Sequence, residues 1–383
     1  MSNEANEKLS RRDMLALTGA GAGIAGLFGV SSAQAANLPE PEAREEADVV
    51  VIGTGMAGIA AALEAASAQT RVIVLEKSSS RRFSGNSLLA GGYFAVPKAD
   101  TEQARAEFME DFIAKGLGRG NTDIYTLMTQ NGRADVEWLA ANGLEFLPEG
   151  EMPPYRISSM LLAPGAYMGM PRALRSLREA LEAKGGTVVF DTKAKQLILD
   201  QNGAVIGVRT TGRGGGRDYM ARSVIIAAGG YAANSALLEA YADPNAGSMM
   251  VRGATWATGD GHLMAQQAGA GLKGMGGIGS LHVAAVDPVD TAAGNPFAAL
   301  THGVSVNREG KRFIDESAGY VAHGKAVMSQ LEQRATLILD NALRELPGPS
   351  SSFSTFARLG IETFTADTLE ELATLVGIPA DTL

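Results

Sequence analysis

Apolar residues along the chain fall into blocks whose spacing separates strands from helices. Residues 48–52 read DVVVI, a β-branched run with little polar alternation, the pattern of a strand covered on both faces. Residues 56–69 carry the apolar content of a packed helix, and 71–75 form a second short apolar run. Strand, helix and strand predict one βαβ unit. Residues 134–146 (ADVEWLAANGLEF) read as helix, with Trp138 and Leu139 toward a core, and 172–183 as an amphipathic helix. Strands of period two follow, with RGGGR as a hairpin tip, and SVIIAAGGYAAN at 223–234 opens as a strand that ends in Gly229 and Gly230. Near the end, Asp367 and Thr368 stand at capping-box spacing from Glu370 and Glu371, Gly377 closes that helix, and Pro379 opens another of a single turn, too short to stand alone.

The 383 residues leave room for two domains, and 45% apolar content with 47 glycines suits a glycine-rich α/β enzyme core. A net charge of -9 argues against nucleic-acid contact, because neutralising phosphates requires a basic face. Without cysteine there is no disulfide, no thiolate-held iron–sulfur cluster and no c-type haem attachment, so redox chemistry needs a bound organic cofactor. Arg213 and Arg217 at the hairpin tip read as a solvated turn rather than a phosphate site.

The first segment reads as an address. Paired Arg11 and Arg12, a glycine-diluted apolar region too short to anchor in a membrane, and AQA at 33–35 match a twin-arginine export signal cleaved after Ala35. The expectation is a periplasmic protein with no stable membrane span once the signal is removed.

Between the predicted strand and helix, residues 53–58 spell Gly-x-Gly-x-x-Gly. Gly53 permits the tight turn, Gly55 lets backbone approach a pyrophosphate, Gly58 lets helix and strand pack closely, and the helix N-terminus attracts phosphates. Glu76, ending the second strand, is placed to accept both ribose hydroxyls of an adenosine. Met56, Ala57 and Lys77 flank these positions and join the expected cofactor set. FAD and NAD are both compatible with this unit.

The next segment, SGNSLLAGGYF at 84–94, resembles the Gly-Asn-Ser/Thr…Gly-Gly stretch that wraps the flavin in the fumarate reductase and succinate dehydrogenase flavoprotein family, whose relatives include flavocytochrome c fumarate reductases and 3-ketosteroid dehydrogenases. The resemblance implies FAD and an α/β fold, a Rossmann-like FAD-binding domain with a smaller α+β capping domain. It implies that Gly85, Asn86, Ser87, Gly91 and Gly92 meet the cofactor and that Ala194 in TKAKQL touches adenine through its backbone. Gly229 makes a second close approach, and Asp260 in ATGDGHL sits near the cofactor. The expected bounds are 1–35 for the signal, 36–270 for the FAD-binding domain and 271–383 for the capping domain, with GMGGIGS at 274–280 as a flexible connection. The family's returning C-terminal segment is expected to be absent, which leaves a truncated, non-catalytic flavin-binding or apo protein as the alternative to an enzyme.

Members of the family exchange hydride at the flavin while a protein group handles the proton. VNREGKRFIDESAGY at 306–320 resembles their capping-domain motif. Fumarate-reducing members carry an arginine four residues after its glutamate. This chain has Tyr320 there, counted from Glu316, which is similar to the tyrosine base of 3-ketosteroid dehydrogenases, with Gly319 in place of their proline. Tyr320, Arg312 and His282 are the expected catalytic residues. A phenol with an ordinary pKa of about 10 needs a stabilising neighbour to act as a base, and Lys325, Arg312 and His323 are at hand in the sequence. The competing reading is a tyrosine that only packs. His282 lies one residue beyond the spacing of the carboxylate-binding histidine in fumarate reducers, which speaks against fumarate, and His262, His302 and His323 read as structural or solvent-facing. The expected activity is FAD-dependent interconversion of CH–CH and C=C bonds beside a carbonyl or carboxylate, with a small-molecule substrate and a separate cytochrome or quinone-linked electron partner.

Overall fold

The computed structural model describes residues 40–67, 70–78, 85–116, 118, 120–151, 155–163, 169–213, 215–276, 283–286 and 294–383. The export segment, most of the GMGGIGS connection and His282 lie outside the described residues. The chain divides into two compact units, Met1–Gly230 with Asp260–Gly271, and Tyr231–Gly259 with Leu272–Leu383. Residues 231–259, expected to continue the first domain, cluster with the second unit, where Leu238 and Ala246 pack against Met328.

In the first unit, β1 (Ala43–Ile52), α1 (Met56–Ser67) and β2 (Val72–Leu75) form the βαβ unit. The chain continues through β3 (Tyr93–Pro97), α2 (Glu102–Lys115), α3 (Thr122–Ala141), β4 (Gly150–Glu151), β5 (Ile157–Leu161) and α4 (Gly169–Ala183). It then adds β6 (Thr187–Val189), β7 (Thr192–Leu199), β8 (Val205–Gly212) and β9 (Gly215–Ile226), and α5 (Asp260–Gln267) returns to this unit. The main sheet runs β6-β2-β1-β9-β8-β7, parallel from β6 to β9 and antiparallel from β9 to β7.

Alternation along β1 feeds two cores. Val49 and Val51 meet Ile59 and Leu63 of α1 and Leu174, Leu177 and Leu181 of α4, whereas Val50 and Ile52 join Ile73, Leu197, Val208 and Met264. A strand covered on both faces therefore reads as an unbroken apolar run. The first half of β1 was not legible, because Arg44, Glu45 and Glu46 look like loop; it is strand because β9 extends alongside it, pairing Ala43 with Arg217 through Ala47 with Ala221. Arg217 is accordingly ion-paired with Glu45, and Arg213 lies near Asp191 at 3.7 Å, in keeping with a solvated tip rather than a phosphate site. A separate three-stranded sheet, β3-β5-β4, is a further element the sequence pattern left unread. Leu139 is buried, while Trp138 is half-buried with its indole N–H donating to Glu64 at 3.1 Å.

In the second unit, β10 (Val304–Val306) pairs antiparallel with β11 (Thr336–Ile338), and α6 (Tyr320–Met328), α7 (Pro347–Leu359) and α8 (Leu369–Val376) surround them in sequence. The hydroxyl of Thr368 accepts from the Glu371 amide and Gly377 takes the left-handed conformation, so α8 starts and stops where the capping box and glycine predict. Its Ala373 and Val376 pack with Val306 and Ile338. Pro379 is followed by a single turn, as expected, and the Thr382 hydroxyl there donates to the Glu309 carbonyl at 2.6 Å. Among the described residues, no helix is long and apolar enough to cross a membrane.

Candidate active site

The turn from β1 into α1 separates two uses of glycine. Gly53 has φ +105°, and a Cβ there would lie 2.5 Å from the Ala227 carbonyl oxygen; one on Gly58 would lie 2.0 Å from the Gly53 oxygen. These two positions are closed by packing. At Gly55 a Cβ would meet only the Ser87 hydroxyl, at 3.3 Å, and at Gly85, Gly229 and Gly230 it would meet nothing within 4 Å. There the backbone is bare. Gly91 lies against the Tyr93 ring, and Gly92 is tied into the small sheet, its carbonyl accepting from the Leu162 amide at 3.0 Å.

Glu76 is buried just past the end of β2. One carboxylate oxygen accepts from the Thr54 hydroxyl at 2.6 Å and the Thr54 amide at 3.2 Å, and the other from the Ser78 amide at 2.8 Å. Thr54 therefore orients the acid, a role the sequence reading missed; the signal was a hydroxyl in the variable position of Gly-x-Gly, beside a buried acid that needs donors. The Met56 amide donates to the Ser87 hydroxyl at 3.0 Å, which fastens the Asn86–Leu89 turn to the start of α1. Ala57 is exposed, and Asn86 is exposed on the same turn as Ser87.

Asp260 opens α5 and receives two lysines, Lys77 at 2.6 Å on one oxygen and Lys193 at 3.0 Å on the other. Burial pushes its carboxyl up, but the hydrogen bonds from Lys77 and Lys193 outweigh this and hold it below the usual carboxylate range. Lys193 was not anticipated, although it immediately precedes Ala194, which is buried in β7.

In the second unit the proton-transfer motif is organised around Glu316. This buried carboxylate accepts from the Ser305 amide at 2.6 Å and from Arg312 at 2.6 and 3.2 Å. Burial pushes it up, and the bonds from Arg312 and Ser305 bring it net below its ordinary value. The Ser305 hydroxyl lies 2.7 Å from Nε2 of His323, while Nδ1 of that buried ring has no hydrogen-bond partner among the described residues. Burial lowers the His323 pKa, and nearby Glu316 offsets it only in part. Arg312 and His323, two of the three groups expected to serve Tyr320, are thus engaged by Glu316 and Ser305, and Lys325 is exposed. Tyr320 itself is 42% exposed at the first position of α6, after Gly319 with φ +85°, so within its unit it is not a packed core phenol. His262 is half-buried in α5 and His302 is exposed.

A family profile described as an FAD binding domain matches residues 48–370. The chain belongs to that family. Urocanate reductase from Eggerthella lenta is 31% identical over 285 residues, covering 71% of this chain and 46% of its own. Fumarate reductase (cytochrome) from Shewanella frigidimarina is 27% identical over 363 residues, covering 92% and 61%. The chain thus spans roughly half the length of these curated relatives. A solved structure of 3-ketosteroid-Δ4-(5α)-dehydrogenase from Rhodococcus jostii, in complex with 4-androstene-3,17-dione, superposes with a TM-score of 0.68 at 25% identity, covering 91% of this chain and 77% of that one.

This member of the FAD-binding family has the features its cofactor needs. Bare backbone at Gly55, Gly85, Gly229 and Gly230, close packing at Gly53 and Gly58, and a donor-oriented buried Glu76 make a cradle that side chains would fill. The β1–α1 turn, Glu76, Lys77, Asp260 and Ala194 fall in the same unit.

Proposed function

We propose that the protein is an FAD-dependent oxidoreductase that interconverts CH–CH and C=C bonds next to a carbonyl or carboxylate. The observation that carries this reading is the bare glycine backbone of the cradle together with buried Glu76, in a chain whose relatives are named urocanate reductase and fumarate reductase. Bound FAD supplies hydride exchange with a substrate carbon.

The chain's own residues bind, orient and move a proton. The amides of Gly55 and Ala57 at the start of α1 take the pyrophosphate, and the Ser87 hydroxyl, which accepts from the Met56 amide and so places Met56 beside the group, keeps its own proton to donate there. Glu76 takes the ribose hydroxyls, and the backbone of Ala194 takes adenine. Gly85, Asn86, Gly91, Gly92 and Gly229 approach the flavin end, while Lys77 and Asp260 complete the cradle. Tyr320 carries the proton at its phenol oxygen. Arg312, whose side chain is 57% exposed, offers the guanidinium edge not used by Glu316 to a substrate oxygen, and His282 serves the substrate as a further donor. On this reading residues 36–270 bind FAD and 271–383 cap the substrate. Residues 1–35 direct the protein to the periplasm, and a separate cytochrome or quinone-linked protein exchanges the electrons.

The visible spectrum of the purified protein, taken before and after anaerobic dithionite, tests the reading. Flavin bands that bleach and then recover with one member of a panel of enones and unsaturated acids are the expected result. A colourless protein that takes up no added FAD, or a flavoprotein that no panel member reoxidises, overturns it. Tyr320→Phe is expected to lower turnover by about 10²- to 10⁴-fold, the range for losing one general acid or base, with FAD affinity unchanged.

A further inference from the structure

We infer that Lys193 is a positioning residue for the adenosine end of the cofactor, acting through Asp260 as the second jaw of a two-lysine clamp. The inference rests on the FAD reading above and extends it to a residue outside the glycine fingerprint and its acid. Three chain segments distant in sequence converge here. The Glu76 amide donates to the Val189 carbonyl at 2.8 Å, the Thr192 amide to the Glu76 carbonyl at 2.9 Å, and the Asp191 amide to the Ser78 carbonyl at 3.0 Å. The β6–β7 turn is thereby laid along the backbone of residues 76–78, which carry the ribose-facing acid.

Lys193 follows that turn directly. Because neighbouring strand residues point to opposite faces, Ala194 is buried while Lys193 stays partly exposed and reaches Asp260. Lys77 holds Oδ2 of the same carboxylate and Lys193 holds Oδ1, so both rotational freedom and charge of Asp260 are controlled from two sides. Among the described contacts, Glu76 and Asp260 bring negative charge to this corner, and Lys77 and Lys193 place positive charge on Asp260. Removing Lys193 takes one positive charge from that corner, in the domain that must receive a dianionic pyrophosphate, and it releases one oxygen of Asp260 to pull on Lys77. Both effects work against cofactor binding. Partial burial of Asp260 means that salt screens this only in part.

The test uses the full chain stripped of cofactor and titrated with FAD, ADP and FMN by fluorescence and calorimetry. Lys193→Met is expected to weaken FAD and ADP by the same factor, roughly three- to tenfold for one uncompensated charge at a partly buried site, and Lys193→Arg to restore most of it. FMN, which lacks the adenosine, is expected to show no change. FAD binding equal to that of the unsubstituted protein overturns the inference while leaving the cofactor reading intact. Loss shared by FMN, or loss that tracks a fall in melting temperature of the cofactor-free protein, also overturns it, since either marks a merely structural lysine. Failure of the unsubstituted chain to bind FAD removes the cofactor reading and this inference together.

Discussion

The two units organise buried charge differently. In the first, Glu76 and Asp260 are held by donors from segments far away in sequence, Thr54, Lys77 and Lys193, around backbone left bare for a ligand. In the second, Glu316 is held by Arg312 four residues before it and by Ser305, and Nδ1 of buried His323 has no hydrogen-bond partner among the described residues. Polar satisfaction in the first unit thus joins distant segments beside unobstructed glycine backbone, and in the second it fastens the loop that precedes Tyr320 at a helix start.

Glycine substitutions break that comparison most sharply. Gly58→Val forces atoms into a space where even a Cβ would lie 2.0 Å from backbone, and is expected to unfold the first unit, a loss of about 4 kcal/mol or more. Gly55→Ala meets only a hydroxyl at 3.3 Å, so it is expected to keep the melting temperature and lose FAD affinity. Thermal melts paired with FAD titrations separate the two outcomes, and equal melting temperatures for both variants would contradict the division into packing and binding glycines.

Glu316→Ala comes next. It strips the buried Ser305 amide of its acceptor, a cost of about 2 kcal/mol, and is expected to fall on the second unit alone. The two tryptophans, Trp138 and Trp256, lie one in each unit, so single-tryptophan variants report them separately during urea unfolding. A shift seen equally at Trp138 would mean that the network supports more than its own unit.

Thr54→Val removes the 2.6 Å hydroxyl bond to Glu76 but leaves the amide bond, so a loss of about 1 kcal/mol is expected together with weaker FAD binding. If the variant lost stability but bound FAD normally, Thr54 would be a core residue and not an orienting one.

Acidification gives the smallest and most selective effect. The folded pKa of His323 is lowered by burial, so protons favour the unfolded chain and this contribution to the second unit is lost as pH falls through the ordinary histidine value of about 6.5. Asp260 is depressed, so its contribution to the first unit persists until pH drops below the ordinary carboxylate value of about 4 and is lost as its folded pKa is crossed. Between those values Trp256 is expected to report weakening while Trp138 does not, and His323→Gln is expected to flatten the Trp256 response. A pH-independent Trp256 midpoint across this window would refute it.

Local sequence determined what depends on near neighbours. The apolar run of β1, the Gly-x-Gly-x-x-Gly turn with its positive φ at Gly53, the acid ending β2 and the capping box of α8 are each settled within a few residues, because turn geometry, strand alternation and helix capping are short-range. Tertiary structure decided what depends on pairing across the chain. It made strand out of the charged residues before Ala47, matched Thr54 to Glu76, and brought Lys193 beside Lys77 on Asp260. No periodicity encodes such pairings, since a charged or hydroxyl side chain looks the same in sequence whether it meets water or a partner. Only the register of the sheet and the crossing of segments fix which partner it meets.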